Sequence, residues 1–133
     1  MSVGARSGPA CPCGSGTTLD GCCGRYLRSE AEPATAEALM RARYSAHALG
    51  DTAFLTRSWH PDTCPPLVTD STYTWTGLEV LECVRGRALD RDGTVTFAAR
   101  WERDGERGVM AERSHFVRLG TRWVYHDGDP LPT

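Results

Sequence analysis

The sequence predicts an α+β domain, helices first and then a curled antiparallel sheet, with a metal-stapled segment ahead of both. Three observations carry this expectation. Apolar spacing is three-to-four over residues 35–60 and changes to two beyond residue 72. Turn signals divide the second half into short runs joined in sequence order, which implies a meander. Four cysteines crowd into residues 11–23, a stretch too poor in apolar side chains to form a core unaided.

The elements follow in chain order. Residues 1–10 are small and polar, hold one arginine and no apolar run, and are expected to fray rather than to act as a signal peptide. Residues 1–28 form the cysteine-bearing segment and 29–34 a linker. Thr35 suits an N-cap, Glu37 a first turn and Gly50 a stop, with Leu39, Met40, Arg43, Tyr44 and His47 on one stripe between them. Asp51 caps a shorter helix carrying Phe54, Leu55, Ser58 and Trp59, ended by Pro61. Strands are predicted at Trp75–Val84, Thr94–Arg103, Val109–Leu119 and Arg122–Asp127, with turns at Asp92-Gly93, Asp104-Gly105 and Gly120. In the second strand Val95, Phe97, Ala99 and Trp101 share a face, and Ala98 and Arg100 take the other. The helices and sheet make a domain over residues 34–128, and 129–133 is a flexible tail.

Composition narrows the chemistry. The net charge of −2 argues against a broad nonspecific hold on nucleic acid or anionic membrane. All 15 basic residues are arginines, so Schiff-base and phosphate-loop lysines are excluded. No window approaches 18 consecutive apolar residues, so no membrane span is expected. The expected location is the cytoplasm, where six cysteines favour metal or redox chemistry over disulfides.

Cys11, Cys13, Cys22 and Cys23 form a C-x-C pair and an adjacent pair, a compact set of four soft donors. Tetrahedral zinc suits such a set, and a shell closed by four thiolates is structural, not catalytic. One structural zinc is therefore the expected cofactor, with Arg25 and Arg28 placed to offset its thiolates. A metal-free dithiol and an iron–sulfur cluster are the competing readings of the same cysteines. Cys83 reads as a small core residue in a strand and Cys64 as a loop thiol.

Cys-Pro-Cys-Gly-Ser-Gly followed by Cys-Cys, over residues 11–23, resembles the SEC-C motif, the zinc knuckle at the C-terminus of the SecA translocation ATPase. That motif is lysine-rich between its cysteine pairs, whereas Thr17, Thr18, Leu19 and Asp20 stand here. A longer pattern resembles the YchJ-type bacterial family: Ala38 to Ala46, Gly50-Asp51, Trp59-His60-Pro61, Gly77-Leu78-Glu79, Val95-x-Phe97-x-Ala99-Arg100, Glu112-x-Ser114-x-Phe116 and Arg122-Trp123-x-Tyr125-x-Asp127-Gly128. Some members also carry a second, C-terminal SEC-C motif, absent here, and His115 stands where an arginine is expected. The resemblance implies a SEC-C knuckle followed by a nuclear-transport-factor-2-like domain, in which cone-like helices pack on a curved antiparallel sheet. It implies a protein or ribosomal partner for the knuckle, a pocket inside the cone, and a homodimer by analogy with related cones. It supplies no established activity.

Residues of the right chemistry to line such a pocket are Tyr44, Trp59, His60, Arg100, Glu112, Ser114, Tyr125 and Asp127. Glu112 and Arg100, on neighbouring strands, are placed to pair with each other. His126 and Asp127 are adjacent and so are expected on opposite faces. Trp59, Trp75, Trp101 and Trp123 fit core and pocket wall better than a base-stacking platform. The favoured function is a zinc-binding, non-enzymatic binding or adaptor protein, with no catalytic residue assigned. The alternatives are a small-molecule binder or proton-transfer enzyme using Glu112 or Asp127 as acceptor, and a thiol redox protein.

Overall fold

The computed structural model describes residues 8–67 and 70–133, so residues 1–7 of the expected frayed start lie outside the described residues. Three helices, α1 (Gly24–Leu27), α2 (Ala36–Leu49) and α3 (Thr52–Arg57), precede four strands, β1 (Thr74–Arg85), β2 (Asp92–Arg103), β3 (Glu106–Leu119) and β4 (Arg122–Leu131). Among the described residues, no helix is long and apolar enough to cross a membrane.

Local chemistry sets the helix ends. The Thr35 hydroxyl accepts from the Ala38 N–H at 3.1 Å, and Gly50 closes α2 in the left-handed region at φ 75°. Asp51 then caps α3 by accepting from the Phe54 N–H at 3.0 Å. The sheet runs β1-β2-β3-β4, every neighbour antiparallel. Asp104 and Gly105, both at positive φ, make the tight β2–β3 turn that matches the twist of the strands. Asp92-Gly93, expected as a turn, instead opens β2, because Arg85 Nε holds Asp92 Oδ1 at 2.8 Å and the reversal falls in residues 86–91.

β4 runs on to Leu131, so residues 129–131 of the expected tail belong to the sheet. β3 is long enough to partner them: Arg113, Glu112 and Ala111 face Asp129, Pro130 and Leu131. Pro130 is tolerated because β4 is an edge strand. Register slips at Trp75/Gly77, Val80/Glu82 and His115/Phe116 each insert an extra residue, bending the sheet.

Helix α2 lies across the concave face. Leu39, Ala42 and Ala46 bury against Phe54, Leu55, Val95, Ala99, Phe116 and Trp123, and Trp123 Nε1 donates to the Ala34 carbonyl at 3.1 Å. Cys11, Cys13 and Cys23 belong to this same core. The cysteine segment is thus packed into the domain instead of standing off from it.

Candidate functional site

The cysteine segment is built from two short pieces of backbone. An Ala10–Thr18 bridge, with the Cys11 N–H on the Thr17 carbonyl at 2.9 Å, closes the loop that carries Cys11 and Cys13. The turn into α1, fixed by the Gly24 N–H on the Leu19 carbonyl at 2.8 Å, delivers Cys22 and Cys23. The four sulfurs lie within 4.8 Å of one another, with Cys13 and Cys22 at 3.6 Å. Sulfurs around one zinc at ~2.3 Å sit about 3.8 Å apart, so the cluster matches such a shell closely. Cys11, Cys13 and Cys23 are buried and Cys22 is half-buried.

Ionisation points the same way. A hydrogen bond from Cys23 holds the Cys13 thiol down at about 4, while the same shared proton, together with burial, pushes Cys23 far up. Burial also raises Cys11. Sulfurs crowded this closely compete for protons, and a dication that binds four thiolates resolves that conflict. The donor set therefore fits a metal ion.

The surrounding charges differ from expectation. Arg28 is engaged by Asp20 and Glu30 at 2.9 and 2.8 Å, away from the sulfurs. The arginine that reaches the cluster from the main domain is Arg41 of α2, whose Nη1 donates to the Cys13 carbonyl at 3.0 Å. Arg25 Nε binds the Cys22 carbonyl at 3.1 Å. Ser15 donates to Cys22 Sγ at 3.1 Å, and Ser45 Oγ lies 3.5 Å from Cys11 Sγ. Cys83, expected in the core, is exposed on β1, its Sγ 3.5 Å from Glu37 Oε1, and Cys64 sits in the loop after α3.

Between α2 and the sheet lies a cavity of about 220 Å³. Of the residues proposed from sequence, Tyr44, Trp59, Glu112, Ser114 and Tyr125 line it. Glu112 Oε1 accepts from Ser114 Oγ at 2.6 Å and from Tyr125 Oη at 3.1 Å. Burial, then the Glu112 charge, pushes the Tyr125 phenol up, so it stays a donor.

Three proposed residues are elsewhere. Arg100 lies on the opposite face, its guanidinium over Gly77 on β1, so it does not pair with Glu112, whose cross-strand neighbour is Phe97. Asp127 is also on that face, bound to His115 Nδ1 at 2.8 Å and His126 Nδ1 at 3.0 Å. The reason is the bulge at His126: Tyr125 pairs with Phe116 and Asp127 with His115, so residues 125 and 127 face opposite ways, and His126 meets Asp127 despite adjacency. His60 sits beyond α3, its N–H on the Tyr125 carbonyl at 2.8 Å and its ring beside His126. The tryptophans do not share one platform either: Trp59 and Trp75 line the cavity, while Trp123 is core.

Arg43, expected on the α2 stripe but not among the pocket candidates, also lines the cavity. It is buried, with Nη1 on the Leu55 carbonyl at 2.9 Å and Ser58 Oγ at 2.7 Å, and its guanidinium rests 4.6 Å from the Tyr125 ring and 5.1 Å from that of Trp59. Burial pulls it down to about 10, which leaves it a cation at neutral pH. The signal was present, since an arginine within an apolar helical stripe is buried by construction.

Comparison with known proteins places these features. A family model described as the YchJ middle domain, similar to nuclear transport factor 2, matches residues 35–128. A UPF0225 protein of Streptomyces coelicolor is 46% identical over 124 residues, 92% of this chain and 97% of its own. One from Cupriavidus metallidurans is 47% identical over 133 residues, 94% of this chain and 92% of its own. The solution structure of a SEC-C motif containing protein from Rhodopseudomonas palustris aligns with a TM-score of 0.81 at 33% identity, over 92% of this chain and 98% of that one. A crystal structure of a SEC-C motif containing protein from Psychrobacter arcticus shares the fold, with a TM-score of 0.72 at 23% identity over 92% and 83% of the two chains.

Proposed function

The chain belongs to the YchJ-type family of bacterial UPF0225 proteins, and on that premise we propose that it is a zinc-stapled, non-enzymatic binding protein. The observation that carries this is the set Cys11, Cys13, Cys22 and Cys23, mutually within 4.8 Å. Zinc is the ion we assign to these donors: four thiolates suit a tetrahedral, borderline-soft centre, and zinc fills it without redox chemistry. Held there, the ion supplies folding free energy and no open position for a reacting water. Ser15 and Ser45 orient the sulfurs they contact, and Arg41 ties the segment to α2. The exposed residues 14–17 offer a small rigid surface to a protein or ribosomal partner. A reducing compartment such as the cytoplasm keeps the four thiols available to the ion.

The test is elemental analysis of protein purified without added metal. About one zinc per chain is expected, lost when the four cysteines become serine. Metal-free protein whose thiols oxidise and recover reversibly would replace this reading with thiol redox chemistry at Cys22-Cys23.

Glu112 favours a second role for the same molecule. It lines the cavity beside Arg43, forms no ion pair among the described residues, and holds two neutral donors on Oε1. The cavity is read as a site for a small organic molecule, with Glu112 as the proton acceptor should that molecule be turned over. Fragment screening by NMR, with shifts confined to cavity residues, checks this. Shifts scattered over the surface would count against it.

A further inference from the structure

We propose that the cavity takes a neutral, planar heteroaromatic molecule of one or two fused rings, bearing one N–H donor and one acceptor. This rests on the small-molecule reading of the cavity and adds the class of ligand.

Size and shape come first. A dry cavity of about 150 Å³ admits benzene, and this one holds about 220 Å³, enough for a fused ring pair. Trp59, Trp75 and Phe97 present rings to it, which suits a flat partner.

Charge decides the class. Arg43 and Glu112 are the two formally charged side chains of the lining and carry opposite signs. Crowding by the protein, and then the Arg43 charge, pushes the His47 imidazole down, so it is neutral at pH 7. Burial keeps Tyr44 and Tyr125 protonated. The lining therefore sums to zero, and a charged guest would leave one charge uncompensated in an apolar site.

The open hydrogen-bonding positions set the polar pattern. Glu112 Oε1 is occupied by Ser114 and Tyr125, while Oε2 takes no hydrogen bond within the described residues. Arg43 spends Nη1 on Leu55 and Ser58, while its Nε and Nη2 donate to no group among the described residues. A guest with a donor for Glu112 and an acceptor for Arg43 satisfies both.

The test titrates the purified full chain with three size-matched probes: benzimidazole (at a pH where it is uncharged), benzamidine and benzoate. Tryptophan fluorescence and amide shifts report binding. Benzimidazole is expected to bind at least tenfold tighter than either charged probe. Phe97→Trp, whose larger ring intrudes on the cavity, is expected to weaken it by at least tenfold. Glu112→Gln leaves the lining net positive and is expected to turn the preference toward benzoate. Tighter binding of a charged probe by the unaltered chain, or an unchanged order in Glu112→Gln, overturns the class of ligand but keeps the cavity as a small-molecule site. Binding of none of the three to folded protein overturns both.

Discussion

The Glu112 carboxylate sits where it does because residue 128 has no side chain. A Cβ built on Gly128 would overlap the carboxyl group of Glu112. Gly128→Ala is therefore expected to expel that carboxylate and leave the buried Ser114 hydroxyl without its acceptor. The cost should be about 1–3 kcal/mol in urea unfolding; an unchanged midpoint would show that the carboxylate has other room. His47 gives a pH signature of known sign. Crowding, then the Arg43 charge, lowers its imidazole from 6.5 to about 4 in the folded chain. The unfolded chain thus takes up the proton first, and stability is lost as pH falls from about 6.5 towards 4. The residue is still exposed, so screening should hold the loss below about 1 kcal/mol, and His47→Gln should flatten that part of the profile. At this scale the sequence was partly legible. Residue types put Tyr125, Glu112 and Ser114 in the right company. The Asp127 assignment failed because a period of two cannot show a bulge, and one extra residue at His126 reverses every face after it.

Helix α2 contributes to both the cysteine cluster and the cavity. Arg41 and Ser45, four residues apart, contact the cysteine segment, while Met40, Arg43, Tyr44 and His47 line the cavity from the adjoining stripe. Arg41→Ala should retain the metal but cost about 1 kcal/mol, because the Cys13 carbonyl loses its partner; loss of metal would instead make Arg41 part of the binding site's assembly. Removing the ion with a chelator should loosen α2, seen as faster amide exchange over Ala36–Leu49, cavity side included. Exchange that quickens only before residue 28 would show the two sites to be uncoupled. α2 and α3 were legible because Thr35, Gly50 and Asp51 punctuate them. α1 escaped notice because four residues show no periodicity. The end of β4 did so because Gly-Asp-Pro reads as a turn unless the length of its partner strand is known.

Among the described residues the cysteine segment and the domain share a hydrophobic core. Cys11, Cys13 and Cys23 share it with Leu39, Phe116 and Trp123, and Arg57 clasps the carbonyls of Tyr26 and Leu27 at 3.0 Å. Composition suggested separate units because the cysteine stretch lacks apolar side chains; the buried sulfurs supply that surface instead. The metal-loaded chain should unfold in a single transition, with its Tm lowered by more than about 10 °C on chelation, since several kcal/mol of binding free energy are folding free energy here. Two transitions in the loaded protein would restore the separate-unit view. Zinc K-edge X-ray absorption of the purified protein reads the proposed four-thiolate shell itself. A shell of sulfur scatterers alone at ~2.3 Å is expected. An oxygen or nitrogen scatterer in that shell would mean an open or mixed site and would contradict the four-thiolate proposal.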